Sequence, residues 1–219
     1  LDAEAATGYY RLLMEYGGLY SEVYFSVAEY RKPEFEVTVS LGADEYIQGD
    51  TITLAAQASY YFGGPVANAD VRWSVVQTPW YFDRWQGDRY YSFSDYDYEA
   101  RWSAPGANLV TEGKGKTDAQ GRFVTEVPAD IADQIQSQVL SLEVSVVDVN
   151  NQQVSGRAPA IVHRGTFYIG VSPLSYVGTV GEPQRVALIT VDTQGITRTA
   201  QSLTATLLKR EWLSVREEA

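Results

Sequence analysis

The sequence predicts an all-β fold of tandem antiparallel β-sandwich domains of the immunoglobulin-like kind. Many short segments alternate apolar and polar residues, which is the pattern of strands with one buried face. Turns rich in Gly, Asp and Asn separate these segments at regular spacing, as in antiparallel sandwiches. The segment that starts at Phe35 also returns at Phe167, which indicates a repeated domain. The spacing between Phe35 and Phe167 is called the repeat offset below.

The first part of the chain predicts a hairpin, a joint and then a complete sandwich. Alternating segments 8–16 and 19–30 flank the turn Gly17-Gly18 and predict the hairpin. An extended joint follows around Pro33, because proline cannot donate to a strand ladder and keeps the preceding residue extended. Beyond the joint, the same alternation predicts seven strands, over 34–41, 51–60, 69–77, 110–116, 122–127, 140–149 and 153–162.

Other segments give less regular predictions. Short strands are expected near 90–93 and 98–102, and one helical turn is expected from Pro128 to about Ser137, because Pro and Asp favour a helix start. A second joint is expected at His163-Arg164-Gly165. After it, strands are predicted over 166–171, 185–191 and 202–212.

The repeat sets the predicted domain boundaries. The repeat offset aligns Tyr10, Leu12 and Met14 with Leu142, Val144 and Val146. Around Ile52 and Val186 the two copies are expected to slip by two positions. We therefore predict the last strands of a truncated domain over 1–30, a complete domain over 31–164 and the first strands of a further domain over 165–219.

The composition fits a folded protein and excludes several kinds of chemistry. The 219 residues are 45% hydrophobic and 21% charged, and no apolar run approaches the ~20 residues that span a bilayer. The net charge of −11 makes nucleic acid and anionic membrane surfaces poor partners. The absence of Cys excludes disulfides, thiolate catalysis and zinc–thiolate sites.

The aromatic segment 78–103 is the sharpest candidate for recognition. Its rings include the four candidate interaction residues Trp80, Trp85, Tyr90 and Tyr96. Exposed Trp and Tyr side chains can stack on sugars or anchor a protein partner. Three interpretations stay open: packing of the rings against the sheet, contact with a neighbouring domain or protein, and binding of a ligand such as a glycan.

The remaining candidate sites are weak, and the sequence indicates no catalytic residue, cofactor or metal site. His163 is the only histidine and is expected to be a linker residue without chemistry. Asp95, Asp97 and Glu99 share a strand face but lack the spacing of a calcium loop, so a solvated face paired with Arg84, Arg89 or Arg101 is expected. The segment 113–117 mimics part of a phosphate loop but leads into a turn and strand rather than a helix.

Several stretches together resemble bacterial α2-macroglobulins. They are Glu29-Tyr30-Arg31-Lys32-Pro33-Glu34-Phe35-Glu36-Val37, Tyr60-Tyr61-Phe62-Gly63-Gly64-Pro65-Val66-Ala67-Asn68-Ala69 and Thr117-Asp118-Ala119-Gln120-Gly121-Arg122-Phe123. The first looks like a junction between macroglobulin-type domains. The second resembles the Tyr-x-x-Gly-x-Pro-Val stretch that follows such a junction. The likeness extends over nearly the whole chain.

This resemblance implies macroglobulin-type sandwiches within a large protease-trapping inhibitor, whose body closes around a protease that cleaves its bait segment. It implies a structural, non-catalytic role, with other domains of the same chain as direct partners and proteases as partners of the full-length parent. It also implies a periplasmic or extracellular location, with a parent that could carry a membrane anchor. The covalent thioester of many members has no counterpart here, because this chain has no Cys.

Two other functions remain open at this point. One is a run of sandwich repeats in a bacterial surface or adhesion protein, with the aromatic segment binding glycan or protein. The other is an accessory module of a secreted carbohydrate-active enzyme. The sequence beyond residue 219 would discriminate between the three hypotheses.

Overall fold

A computed structural model describes residues 8–27, 33–94 and 108–207. Twelve strands form in these ranges. They are β1 (Gly8–Tyr16), β2 (Leu19–Val27), β3 (Phe35–Leu41), β4 (Glu45–Ile47), β5 (Thr51–Tyr60), β6 (Asp70–Pro79), β7 (Asn108–Lys116), β8 (Arg122–Pro128), β9 (Gln138–Val147), β10 (Gln153–His163), β11 (Phe167–Pro173) and β12 (Val186–Asp192). Among the described residues, no helix has the length and apolar character needed to cross a membrane.

Eight of the strands form a central two-layer sandwich. One layer is a five-stranded sheet in the order β4-β10-β9-β6-β7, and the other is a three-stranded sheet in the order β3-β5-β8. Every pairing is antiparallel except that of β4 with β10. The predicted all-β class and antiparallel sandwich architecture are confirmed.

The core lies between the two layers, where the alternation of the sequence places it. Along β9, Leu140, Leu142, Val144 and Val146 are all 0% exposed, while the residues between them are half-buried. Ile52 and Leu54 of β5 face them from the other layer. Burying each such side chain contributes about 1.5–3 kcal/mol, so this row contributes substantially to stability.

Two glycines of β7 make room for aromatic rings of the core. A Cβ at Gly113 would lie 2.5 Å from the Trp73 ring, and one at Gly115 would lie 2.3 Å from the Phe123 ring. No larger residue fits at either position without moving the ring above it. The glycines of the segment that mimics a phosphate loop are therefore explained by packing within a strand.

Several predicted elements differ from the observed ones. The helical turn expected from Pro128 to Ser137 is wrong: residues 129–137 form turns, because the Gln48 side chain binds the Ile131 N–H and the Asp130 carboxylate. Strand β4 was not predicted, since three residues are too few to show alternation. Residues 90–93 make a single bridge instead of a strand, and 202–207 form no strand. The predicted strand 98–102, the last part of 202–212 and most of the first joint lie outside the described residues.

The pairing of β11 with β12 preserves the repeat offset. Strand β11 has the bounds of β3 moved by that offset, and Phe167 pairs with Asp192 as Phe35 pairs with Tyr60. Val186 pairs with Pro173 as Leu54 pairs with Leu41, so the expected slip near Ile52 and Val186 is wrong. The hairpin β1–β2 differs from β9–β10 by one position. Tyr10 pairs with Phe25, but its counterpart Leu142 pairs with Ala158 rather than with Arg157, the counterpart of Phe25.

Candidate functional site

The described part of the aromatic segment packs between the central sandwich and the strand pair β11–β12. Phe82 is 8% exposed, and its ring centroid lies 4.4 Å from that of Tyr168 on β11 and 4.8 Å from that of Phe93. Ser92 and Val171 exchange two backbone hydrogen bonds of 2.9 Å. The segment is therefore attached to β11 by both ring packing and backbone pairing.

A carboxylate at the centre of this junction joins three parts of the chain. Glu45 of β4 accepts a 2.6 Å hydrogen bond from Arg84 of the aromatic segment and a 2.9 Å bond from Gln194, which follows β12. Arg84 also donates 2.8 Å to the carbonyl of Thr193, and its guanidinium lies 5.3 Å from the centroid of the Trp80 ring. Charge-assisted bonds of this kind are about twice as strong as neutral ones.

A chain of hydrogen bonds continues from Glu45 into the buried part of the junction. His163 Nε2 lies 3.1 Å from Glu45, and Nδ1 lies 2.6 Å from the Tyr168 hydroxyl. That hydroxyl lies 2.7 Å from Ser137 Oγ, which accepts the Arg164 backbone N–H at 3.2 Å.

The carboxylate can only accept, and a neutral imidazole carries a single N–H, so together they fix the direction of every bond in this chain. His163 donates from Nε2, Tyr168 donates to Nδ1, and Ser137 donates to Tyr168.

The surroundings hold each group in one protonation state near neutral pH. Burial lowers the pKa of His163 and keeps the ring neutral. The hydrogen bond from Arg84 lowers the pKa of Glu45 and keeps the carboxylate ionised. Burial raises the pKa of Tyr168 to about 12, so its hydroxyl keeps the proton that it donates. Each group in this chain therefore has a hydrogen-bond partner without any change in its protonation state.

This arrangement is suited to positioning rather than to reaction chemistry. His163 is the last residue of β10 and is 1% exposed. Both of its ring nitrogens are hydrogen-bonded to protein groups, so it presents no free nitrogen to a substrate. The prediction that His163 is a linker residue is wrong, because His163 lies in the buried network. Within residues 8–27, 33–94 and 108–207, no group of three or more potential metal ligands lies together.

The structure separates the predicted interaction residues. Trp80 lies in the junction, 5.3 Å from the His163 ring. Trp85 donates its ring N–H to the Arg89 carbonyl and packs on Tyr91, whereas Tyr90 is 78% exposed. Tyr96 and the acidic residues Asp95, Asp97 and Glu99 lie outside the described residues.

Sequence reasoning missed Glu45, Tyr168 and Ser137, whose roles depend on contacts between distant residues. A cleft of about 320 Å³ lies next to this network. It is bordered by Trp80, Phe82, Arg164 and Tyr168.

The stretch that resembles the Gly-x-Pro-Val motif forms a turn against the central sandwich. Thr117 donates its hydroxyl to the Val66 carbonyl at 2.7 Å and accepts the Ala69 N–H at 2.9 Å. Gly121, at φ +76°, packs so closely that a Cβ there would lie 2.4 Å from the Ala58 carbonyl. Two of the stretches that carry the resemblance, 60–69 and 117–123, are therefore in direct contact.

Comparison with known proteins supports the resemblance that these stretches carry. No family model matches the chain. The α2-macroglobulin of Thermotoga maritima is 30% identical over 193 residues, which is 87% of this chain and 11% of that protein. This chain is α2-macroglobulin-like. It spans about a tenth of the length of that relative.

Solved α2-macroglobulin structures share the fold of this α2-macroglobulin-like chain. The native conformation of the Escherichia coli protein matches 90% of it with a TM-score of 0.61 at 15% identity, using 13% of that chain. The methylamine-reacted Salmonella protein matches 90% with a TM-score of 0.59 at 14% identity, using 14% of that chain. The predicted resemblance to bacterial α2-macroglobulins is confirmed.

Proposed function

We propose that this chain is a non-catalytic scaffold segment of a bacterial α2-macroglobulin-like inhibitor that traps proteases. The observation that carries the proposal is the 30% identity to the Thermotoga maritima protein over 87% of the chain. The match is longer than the predicted domain 31–164, so under the proposed division it extends into a neighbouring domain. The proteases are partners of the whole protein, which acts in the periplasm or outside the cell.

The proposed organisation is a central macroglobulin-type domain at 31–164 between strands of two further ones, at 1–30 and 165–219. The shared register of β3–β5 and β11–β12 supports this division. The direct partners of each domain are then its neighbours in the chain. In this proposal the network around Glu45 and His163 fixes how the domain after the second joint is held, and the aromatic segment serves that contact.

The test uses the longer protein that contains this chain. A protease enclosed in a cage keeps its activity on a short peptide substrate but loses activity on a large protein substrate, because only the small one reaches it. We expect this split after incubation with trypsin. Equal loss of both activities, or loss of neither, would contradict trapping.

A pair of variants tests the scaffold role within that assay. Arg84→Glu places a like charge against Glu45 in the half-buried junction, and we expect it to lower the fraction of trapped protease. Lys116→Glu makes the same charge change in an ion pair whose side chains are 62% and 73% exposed, and it should trap normally. Glycan binding by the purified chain, lost on Tyr90→Ala, would instead favour the adhesion hypothesis.

A further inference from the structure

The aromatic segment forms a backbone bridge along one edge of β11. Ser92 and Val171 exchange two hydrogen bonds there. The other edge of β11 pairs with β12, and just beyond this pairing Leu174 donates its N–H to the Arg185 carbonyl. Because hydrogen-bonded pairs alternate along an antiparallel ladder, Val171 directs its backbone groups away from β12. The bridge therefore occupies an edge that the strand pair itself leaves free.

The same edge is open on β3 in the central sandwich. Moved back by the repeat offset, Val171 falls on Val39. Gly42 donates its N–H to the Thr53 carbonyl, so by the same alternation Val39 directs its N–H and carbonyl away from β5. In the described part of the chain, β3 is the outermost strand of its sheet and pairs with no strand on that side. Unpaired groups on such an edge can bond to another extended segment.

The accessible part of this edge is short. At Val37 the two layers of the sandwich nearly touch, since a Cβ at Gly156 of β10 would lie 2.4 Å from the Val37 carbonyl oxygen. Beyond that point a cleft of about 420 Å³ lies between β3 and β10, bordered by Val39, Leu41 and Ala160. The cleft leaves room beside Val39 for a bridge of one or two residues, and not for a long added strand.

The surfaces next to the two edges differ in whether they are covered. Ser172 is 8% exposed, whereas its counterpart Ser40 is exposed. A Cβ at Gly195, in the turn after β12, would lie 2.4 Å from the Arg84 carbonyl oxygen, whereas one at its counterpart Gly63 would meet no atom within 4 Å. Both glycines have a positive φ, at +85° and +98°. A surface that the aromatic segment covers in one copy of the repeat is thus open in the other.

From this correspondence we infer that the edge of β3 at Val39 is the docking site for an extended segment of the domain that precedes the first joint in the longer protein. That segment is the counterpart of the aromatic segment, because Ser92 moved back by the repeat offset falls ahead of Leu1. It bonds Val39 through its backbone, as Ser92 bonds Val171. The inference rests on the proposed division into repeated domains and is independent of protease trapping.

Thr38 limits the size of the docked segment beside the bridge. Its counterpart Gly170 leaves room for the Phe93 ring, and a Cβ there would lie 2.7 Å from that ring. Thr38 carries such a Cβ, with two further atoms, on the exposed face of β3. We therefore expect a small side chain in the docked segment where the aromatic segment has Phe93.

Glu36 determines the charge that the docked segment needs. Its counterpart Tyr168 packs on the Phe82 ring, with the two centroids 4.4 Å apart. Asp44 adds a second exposed carboxylate at the border of the cleft. Covering a carboxylate without a cation or a hydrogen-bond donor is unfavourable. The docked segment should therefore carry Lys or Arg where the aromatic segment has Phe82.

Hydrogen exchange at single backbone amides tests the docking. In the purified chain of 219 residues the Val39 amide should exchange fast. In the longer protein it should exchange at least about tenfold more slowly, because a carbonyl of the docked segment accepts its N–H. The Thr38 amide faces β5 and should be protected equally in both proteins, as should the Val171 amide. Equal exchange of Val39 in the two proteins would overturn the inference.

A pair of charge-reversal variants of the longer protein tests the chemistry of the contact. Glu36→Lys should return the Val39 amide to fast exchange, because it places like charges together. Glu126→Lys makes the same change on the outer side of β8, two strands away, and should leave Val39 protected. Continued protection in Glu36→Lys, or loss of protection in both variants, would overturn docking of a basic segment at this edge.

The exchange measurement and the trapping assay fail independently. A longer protein that traps trypsin but leaves the Val39 amide unprotected would overturn the docking alone. A protected Val39 amide in a protein that traps no protease would support the docking and contradict only the proposed inhibitor function.

Discussion

The hydroxyl of Tyr168 lies 2.6 Å from Nδ1 of His163, and this hydrogen bond crosses the second joint of the chain. His163 is the last residue of β10, whereas Tyr168 lies in β11. The same hydroxyl contacts Ser137 at 2.7 Å, so a single oxygen connects β11 to two separate places in the central sandwich.

Removing that oxygen should destabilise the protein while leaving the ring packing in place. Tyr168→Phe keeps the contacts with Phe82 and Trp80 but leaves His163 Nδ1 without its donor and the Ser137 hydroxyl without its acceptor. We expect the free energy of unfolding in urea to fall by about 1–3 kcal/mol. The matched control is Tyr176→Phe at a fully exposed tyrosine. A loss of similar size in both variants would contradict a role for the network.

The stability of the chain should depend on pH through its single histidine. Burial lowers the pKa of His163 in the folded state, so the unfolded chain binds a proton at a higher pH than the folded chain does. The free energy of unfolding should therefore fall as the pH drops from about 7 through the ordinary histidine pKa of about 6.5 towards the lower folded pKa. Urea unfolding measured across this range checks the direction.

The variant His163→Gln serves as the comparison for that pH series. It removes the titrating group, so its stability should be lower at neutral pH but flatter between about pH 7 and 5. Glu45 has a lowered pKa and contributes stability that is lost only in a more acidic range. Parallel pH profiles for the two proteins would show that His163 is not the group responsible.

The ion pair of Arg84 and Glu45 should be coupled far more strongly than a surface pair of similar length. Its atoms lie 2.6 Å apart, and its side chains are only 24% and 29% exposed. A double-mutant cycle with Arg84→Gln and Glu45→Gln should give a coupling energy of about 1–2 kcal/mol. The same cycle on Lys116 and Asp70, which lie 2.8 Å apart at the exposed surface, should give a much smaller coupling. Equal couplings would show that burial contributes nothing to the junction.

Even the smallest enlargement of either glycine in β7 should destabilise the protein. Gly113→Ala and Gly115→Ala each push a Cβ into the Trp73 or Phe123 ring, and we expect the free energy of unfolding to fall by about 1–3 kcal/mol. Gly165→Ala is the control, because no atom lies within 4 Å of its Cβ position. Thermal unfolding of the three variants checks the order. An unchanged melting temperature in both β7 variants would mean that the rings move away without cost.

The correspondence between sequence and structure was strongest where one face of a strand is buried along its length. Alternation located β5 and β9 as strands, because a period of two is the local signature of burial on one side. The repeat also located β11, whose bounds follow those of β3 at the repeat offset. Prediction was weakest for β4, which is three residues long and forms only because β10 offers it an edge.

The sequence by itself determined the class of fold, the strand positions of the central sandwich, the internal repeat and the likeness to α2-macroglobulins. Each of these features follows from local residue patterns or from the regular spacing of the repeat. The tertiary structure alone decided the junction, because its members are far apart in the chain. Glu45 meets His163 across 118 residues and Gln194 across 149, and no local pattern records such contacts. The burial of His163 is decided by those contacts, which turn an expected linker residue into the centre of the network.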